Sequence, residues 1–185
     1  MYTTKINFKY LLKYVTAVFF TFTVLSCETE IPLEDETLPA FSFRVTGDGF
    51  DHTFDQNTNF NAITLMLRRG VTYNFTLTGS DQGGVDRISW FTYHSGRINI
   101  ETGAASPWQY SNDDEWTSSL DWTGDRNNPL TGSIAVGNFT TQGTGNDAVF
   151  RFTVSDFGGE LISPNRVMED LIIYIGAHNT RIRNN

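Results

Sequence analysis

Val71-Thr72-Tyr73-Asn74-Phe75-Thr76-Leu77-Thr78 alternates apolar and polar residues without a break. Successive side chains of a strand point to opposite faces, so such a run buries one face and wets the other. The same period recurs in Phe41, Phe43 and Val45, which alternate with Ser42, Arg44 and Thr46, and in Ala148, Phe150, Phe152 and Val154. Leu171, Ile173 and Ile175 alternate with Ile172 and Tyr174, so this strand is apolar on both faces. It is either covered on both sides or central in its sheet. Weaker strands are predicted over 49–55, 62–68, 84–93, 97–101 and 131–140. Gly70, Gly83-Gly84 and Gly158-Gly159 fall where turns are needed. No stretch has the period of a helix longer than a turn or two. Short strands separated by turn signals predict an all-β antiparallel sandwich.

Ahead of this body, Lys5, Lys9 and Lys13 precede an apolar stretch, 14–25, that ends in Val24-Leu25-Ser26-Cys27. A charged start and about a dozen apolar residues have the length of a secretory signal and are too short to span a bilayer. Thr16, Thr21 and Thr23 leave no amphipathic stripe for a buried helix. Leu25-Ser26-Cys27 resembles the lipobox of bacterial lipoproteins. The resemblance implies that residues 1–26 are a signal peptide that is removed. Cys27 then becomes the first residue and carries a diacylglycerol on its sulfur, with palmitate-type chains. Each buried methylene contributes only ~0.8 kcal/mol, so firm anchoring takes more than one chain, and that family puts two or three on one cysteine.

The next residues, 27–38, hold Glu28, Glu30, Glu34, Asp35 and Glu36 around Pro32. So acidic a stretch buries little and is expected to be a flexible tether. Acids just after a lipidated cysteine resemble the export signal of surface lipoproteins in Bacteroidota-type bacteria. That implies an outer-membrane protein facing outward; a solvated linker on a periplasm-facing protein is the other reading.

All three lysines precede Cys27, so the chain from there on sets ten arginines against 21 acids, a formal charge of −11. That balance excludes nucleic acid held by counterion release. It also repels anionic lipid headgroups, leaving the acyl chains to hold the membrane. With one cysteine in the chain, the fold is stabilised by its core and not by a disulfide. The remaining 39–185 is enough for one domain with a real core.

Two stretches carry a more specific likeness. Strand 70–78 runs into Asp81-Gln82-Gly83-Gly84 and then Trp90; strand 149–155 runs into Asp156-Phe157-Gly158-Gly159. Each is an alternating strand, an Asp and a glycine turn. The pattern is similar to bacterial immunoglobulin-like and PKD-like domains, where such turns follow the second and sixth strands. The resemblance implies an immunoglobulin-like antiparallel β-sandwich with Trp90 as the core aromatic of the third strand. Extra N-terminal strands before Asn61 and the long stretch between Glu101 and Thr131 depart from that pattern.

The stretch 106–125 holds three of the four tryptophans, Trp108, Trp116 and Trp122, with Tyr110, and otherwise reads as loop. Aromatic faces beside carboxylates can stack on sugar rings and accept hydrogen bonds from their hydroxyls. The alternative is that these rings close an open end or edge of the sandwich, since each buries about 150–250 Å². Calcium is the one cofactor with candidate ligands. Asp81, Asp86, Asp113, Asp114, Glu115 and Asp156 offer hard oxygens, and Asn112-Asp113-Asp114-Glu115 is the densest group. Asp81 and Asp156 also sit where an Asx turn needs a side-chain acceptor. Catalysis finds little support. His52, His94 and His178 are widely spaced, and neither a zinc motif nor a nucleophile elbow is present. The sequence therefore reads as a non-enzymatic binding or structural lipoprotein. Its alternatives are a glycan-binding accessory protein using 106–125, a subunit of a surface protein complex, or a hydrolase with paired acids across a cleft.

Overall fold

The computed structural model describes residues 30–103, 107–112, 116–159 and 163–185. Two sheets face each other across an aromatic core. The five-stranded sheet has the order β2 (Phe50–Asp55), β1 (Ala40–Gly47), β4 (Thr72–Ser80), β9 (Gly132–Thr141), β6 (Ile98–Thr102). The seven-stranded sheet runs β12 (Arg181–Asn184), β3 (Ile63–Arg68), β11 (Arg166–Gly176), β10 (Gly145–Asp156), β5 (Val85–Tyr93), β8 (Thr117–Thr123), β7 (Gln109–Asn112). Helical structure among the described residues is limited to single 3-10 turns at Phe60–Ala62 and Ser95–Arg97. The domain is an all-β sandwich of two facing sheets, as the alternation predicts.

The inward faces are the periodic residues. Phe41, Phe43 and Val45 of β1, Tyr73, Phe75 and Leu77 of β4, and Phe150, Phe152 and Val154 of β10 are all buried. Trp90 lies at the centre, fully buried, with ring centroids 4.9 Å from Phe75, 4.9 Å from Phe150 and 5.0 Å from Phe43. The first two contacts are edge-on, the arrangement that the ring quadrupole favours.

Three features depart from expectation. β3 and β11 pair in parallel, Thr64 opposite Ile172 and Leu67 opposite Ile175, so the larger sheet is mixed and not purely antiparallel. The stretch 106–125, expected as loop, carries β7 and β8 among its described residues; in β8 the alternation of Ser118, Leu120 and Trp122 with Thr117, Ser119 and Asp121 is diluted by hydroxyls and a carboxylate. β12 was not expected, because Arg181-Ile182-Arg183-Asn184 offers a single apolar side chain. It adds to the far side of β3, with Ile182 opposite Leu65. The ambiguity at β11 resolves as a strand inside its sheet: Ile172 is 39% exposed, so the outer face is not covered there.

β12 is also fixed at its start. Asp48, at the β1–β2 turn with φ 53°, accepts hydrogen bonds from Thr180 N (3.2 Å) and Oγ1 (2.8 Å) and pairs with Arg68 at 2.9 Å. These bonds lower the Asp48 carboxyl, the Thr180 hydroxyl contributing most.

Candidate functional site

The most unusual chemistry lies at one end of the sandwich, where β4 and β10 stop. Both stop on the same sequence pattern, Asp-x-Gly. Asp81 Oδ1 accepts from Gly83 N at 2.7 Å, and Asp156 Oδ1 accepts from Gly158 N at 2.7 Å. Each is an Asx turn, as read from the sequence. The two turns are joined by Phe157 N donating to Gly84 O at 3.2 Å.

Segment 30–38 crosses both turns. Expected as a flexible tether, it is docked over part of its length, and the reason is steric fit. Gly83 and Gly159 lack the side chain that would block it. A Cβ on Gly83 would fall on the Asp35 carboxylate and reach Pro32 Cδ at 3.0 Å, and one on Gly159 would come within 2.8 Å of Leu33 O. Asn165 Nδ2 donates to Asp35 O at 2.7 Å, and Pro39 is buried. Asp35 is itself buried and accepts from Thr37 N at 2.9 Å and from the Thr37 hydroxyl.

This brings three buried carboxylates together. Asp35, Asp81 and Asp156 each offer an oxygen, and these oxygens lie within 4.8 Å of one another. Their donors are unequal. Asp156 accepts three hydrogen bonds, from Gly158 N, Asn165 N and Asn165 Nδ2. Asp35 accepts two, and Asp81 one. Burial, with the Asp35 and Asp156 charges behind it, pushes the Asp81 carboxyl up to about 6. Three hard oxygen donors at this spacing could hold a divalent cation such as calcium; without one, three such groups cannot all ionise at low cost. Asp35 was not singled out from the sequence, since inside Glu34-Asp35-Glu36 it reads as one more solvating charge. Asp86 lies apart on the outer sheet face, accepting from Ser155 Oγ at 3.1 Å.

The aromatic stretch divides. Trp108 and Trp122 are buried, with Trp108 Nε1 donating to Ser133 Oγ at 3.0 Å across to the other sheet. Tyr110 is 37% exposed and Trp116 is 60% exposed, the latter edge-on to His94 at 5.1 Å. Tyr110 lines a hollow of about 570 Å³ together with Ile100, Glu101, Thr102, Leu120 and Asn138. Asp113, Asp114 and Glu115, the candidate calcium group, lie outside the described residues, as does Cys27. The histidines stay apart: His52 packs on Phe54 at 4.6 Å, and His178 stacks on Tyr174 at 5.5 Å.

No family model matches the chain, and no curated protein matches it. Among solved structures it is similar to the cohesin module of a Clostridium perfringens family 33 glycoside hydrolase (14% identity, 62% of this chain, 97% of that one, TM-score 0.37). It is similar also to a non-cellulosomal cohesin of Archaeoglobus fulgidus (12%, 62% and 91%, TM-score 0.33). A third is AggA, the major subunit of the type I aggregative adherence fimbriae of Escherichia coli (10%, 78% and 99%, TM-score 0.34).

Proposed function

We propose that this protein is an outer-membrane lipoprotein, anchored through acylated Cys27 and facing outward, whose sandwich serves as a non-enzymatic binding or structural module. The observation that carries the address is Leu25-Ser26-Cys27 after a lysine-bearing start and an apolar run, with no lysine and a formal charge of −11 from Cys27 on. Support for a non-catalytic role comes from how the reactive side chains are used. The three histidine rings each pack on a separate aromatic. The buried carboxylates close turns and hold the segment before β1. Envelope fractionation with protease treatment of intact cells tests the reading. The wild type is expected with the outer membrane and cut on whole cells, while Cys27→Ser is expected in the soluble fraction. A wild-type chain that is soluble, or protected until the outer membrane is ruptured, contradicts it.

A second reading, glycan binding, is favoured by the Tyr110 hollow. A partly exposed ring lining the same hollow as a carboxylate and an amide, Glu101 and Asn138, offers a sugar both a stacking face and hydrogen-bond partners. Sugar-dependent change in tryptophan fluorescence, lost in Tyr110→Ala, is the expected result; no response across a broad glycan panel removes this reading.

A further inference from the structure

We infer that the outer face of the seven-stranded sheet, where β5 and β10 lie side by side, binds an acidic sugar, its carboxylate held among Arg87, Arg151 and Arg166 and its ring beside Phe91. The strand register builds the site. β10 buries Phe150, Phe152 and Val154 in the core, so Arg151, Thr153 and Ser155 face outward. β5 buries Ile88 and Trp90, so Arg87, Ser89 and Phe91 face outward beside them. Ser155 lies opposite Arg87 on one side and Arg166 on the other, Thr153 lies opposite Ser89, and Arg151 lies opposite Phe91. Short hydroxyl side chains thus sit among long ones, and a hollow of about 420 Å³ is left between them. That volume is at the lower end of the range for small-ligand sites.

Ten arginines follow Cys27 in a chain of formal charge −11, and three of them line this hollow against one acid, Asp86. Asp86 is engaged, accepting from Ser155 Oγ at 3.1 Å. Arg151 is held by Asp170 through two bonds, of 2.7 and 2.8 Å, and donates a third to the Tyr93 hydroxyl at 2.9 Å. Arg87 donates to Asp121 at 2.8 Å. A guanidinium has five N–H donors, so both keep donors for a ligand while Asp170 and Asp121 steady them from outside the hollow. Arg166 is in no ion pair among the described residues, and its side chain donates to Met168 Sδ, a weak acceptor, at 3.5 Å. A second, independent observation points the same way. Thr153 lines the hollow, is 9% exposed, and its hydroxyl has no hydrogen-bond partner among the described residues. A buried hydroxyl without a partner is costly, and an oxygen of a bound ligand satisfies it.

The same face selects a sugar among anions. β5 and β10 each lie between two other strands, so their backbone groups are spent in the sheet and a peptide cannot add there as a strand. Phe91 lines the hollow, partly exposed and edge-on to Tyr93 at 4.7 Å, and gives an apolar surface that the C–H face of a pyranose covers and a bare phosphate does not. A chain of charge −11 repels a dense polyanion, whereas one carboxylate on a ring meets the arginines at short range, inside the screening length of about 8–10 Å. The inference rests on the sandwich being a binding module, and adds a site that shares no lining residue with the Tyr110 hollow.

Titration calorimetry on the purified full-length protein in detergent tests the site. The probes are oligosaccharides carrying glucuronate, galacturonate or sialate, each beside its methyl ester, with inorganic phosphate and triglutamate as competitors. At least one acidic saccharide is expected to bind at a single site, and its ester about tenfold more weakly or worse, since the ester keeps the ring and loses the charge. Arg166→Gln and Thr153→Val are each expected to weaken the acid about tenfold. Neither is expected to lower the melting temperature, because Arg166 holds no acid and Thr153→Val removes an unpartnered hydroxyl. Tyr110→Ala is expected to leave this affinity unchanged. No binding by any of the three acids, equal binding of acid and ester, or full affinity in Arg166→Gln overturns the proposal. Phosphate or triglutamate competing as tightly as the saccharide also overturns it, by leaving the ring no part. Affinity lost in Tyr110→Ala and kept in Arg166→Gln assigns the sugar to the Tyr110 hollow and overturns this site alone.

Discussion

Replacing Trp90 separates the two things its indole does in the core. The ring is fully buried, and four phenylalanines surround it with centroids within about 6 Å: Phe43, Phe75, Phe150 and Phe139. Truncating a buried Trp to Ala costs roughly 3–5 kcal/mol, and lost aromatic pairing adds to it, so Trp90→Ala is expected to cost about 4–6 kcal/mol. That is a large part of the ~5–15 kcal/mol that stabilises a typical domain. Trp90 Nε1, however, is buried with no hydrogen-bond partner. An orphaned donor of this kind costs about 1–3 kcal/mol, and Trp90→Phe removes it while keeping most of the ring packing. The smaller ring leaves a void of a few tens of Å³, worth about 1 kcal/mol at ~24 cal/mol/Å³. The two effects oppose, so Trp90→Phe is expected within about 1 kcal/mol of wild type. Urea unfolding of both variants, compared at equal m-value, measures the difference. If Trp90→Phe proves as damaging as Trp90→Ala, the indole N–H is bonded in the folded protein and the reasoning fails.

The Asp81 carboxyl gives a pH signature. Its folded value, raised to about 6, lies above the ordinary 3.8, so the folded state binds the extra proton. Its contribution is complete below about pH 4 and is lost as pH rises to about 6, the opposite of a paired surface carboxylate. The rise corresponds to about 3 kcal/mol in full, and to about 1–2 kcal/mol once solvent screening is allowed for. Asp81→Asn keeps the acceptor for Gly83 N; it is expected to stabilise the protein near pH 7.5 by about that amount and to flatten the profile between pH 4 and 6, in chelator, by thermal unfolding. A destabilised Asn variant near pH 7.5 would falsify this assignment. Trp122→Ala is expected to cost about 3–5 kcal/mol, whereas Trp116→Ala, at an exposed ring, stays within about 0.5 kcal/mol; comparable losses in denaturant melts would place Trp116 in the core.

The sandwich was legible where one face of a strand is uniformly apolar. β1, β4 and β10 each place three or four large side chains on alternate positions, and those side chains make the core. β8 escaped because Ser118, buried at its inner face, reads as polar while Leu120 and Trp122 carry the pattern alone. Parallel pairing of β3 with β11 leaves no mark in either segment, because it depends on which edge remains free once the hairpins have formed. The two Asp-x-Gly turns were visible singly, as Asx turns. That they share an end of the molecule follows from β4 and β10 lying in facing sheets, which no local pattern states. Asp35 was the least legible of the three, since only docking of its segment distinguishes it from Glu34 and Glu36.

The most direct test of the account is the intact mass of the protein taken from cell envelopes. A polypeptide that starts at Cys27 and is heavier than residues 27–185 by a diacylglycerol, with or without a third acyl chain, is the expected result. An unmodified chain, or one that still carries residues before Cys27, contradicts the lipid anchor and the function built on it.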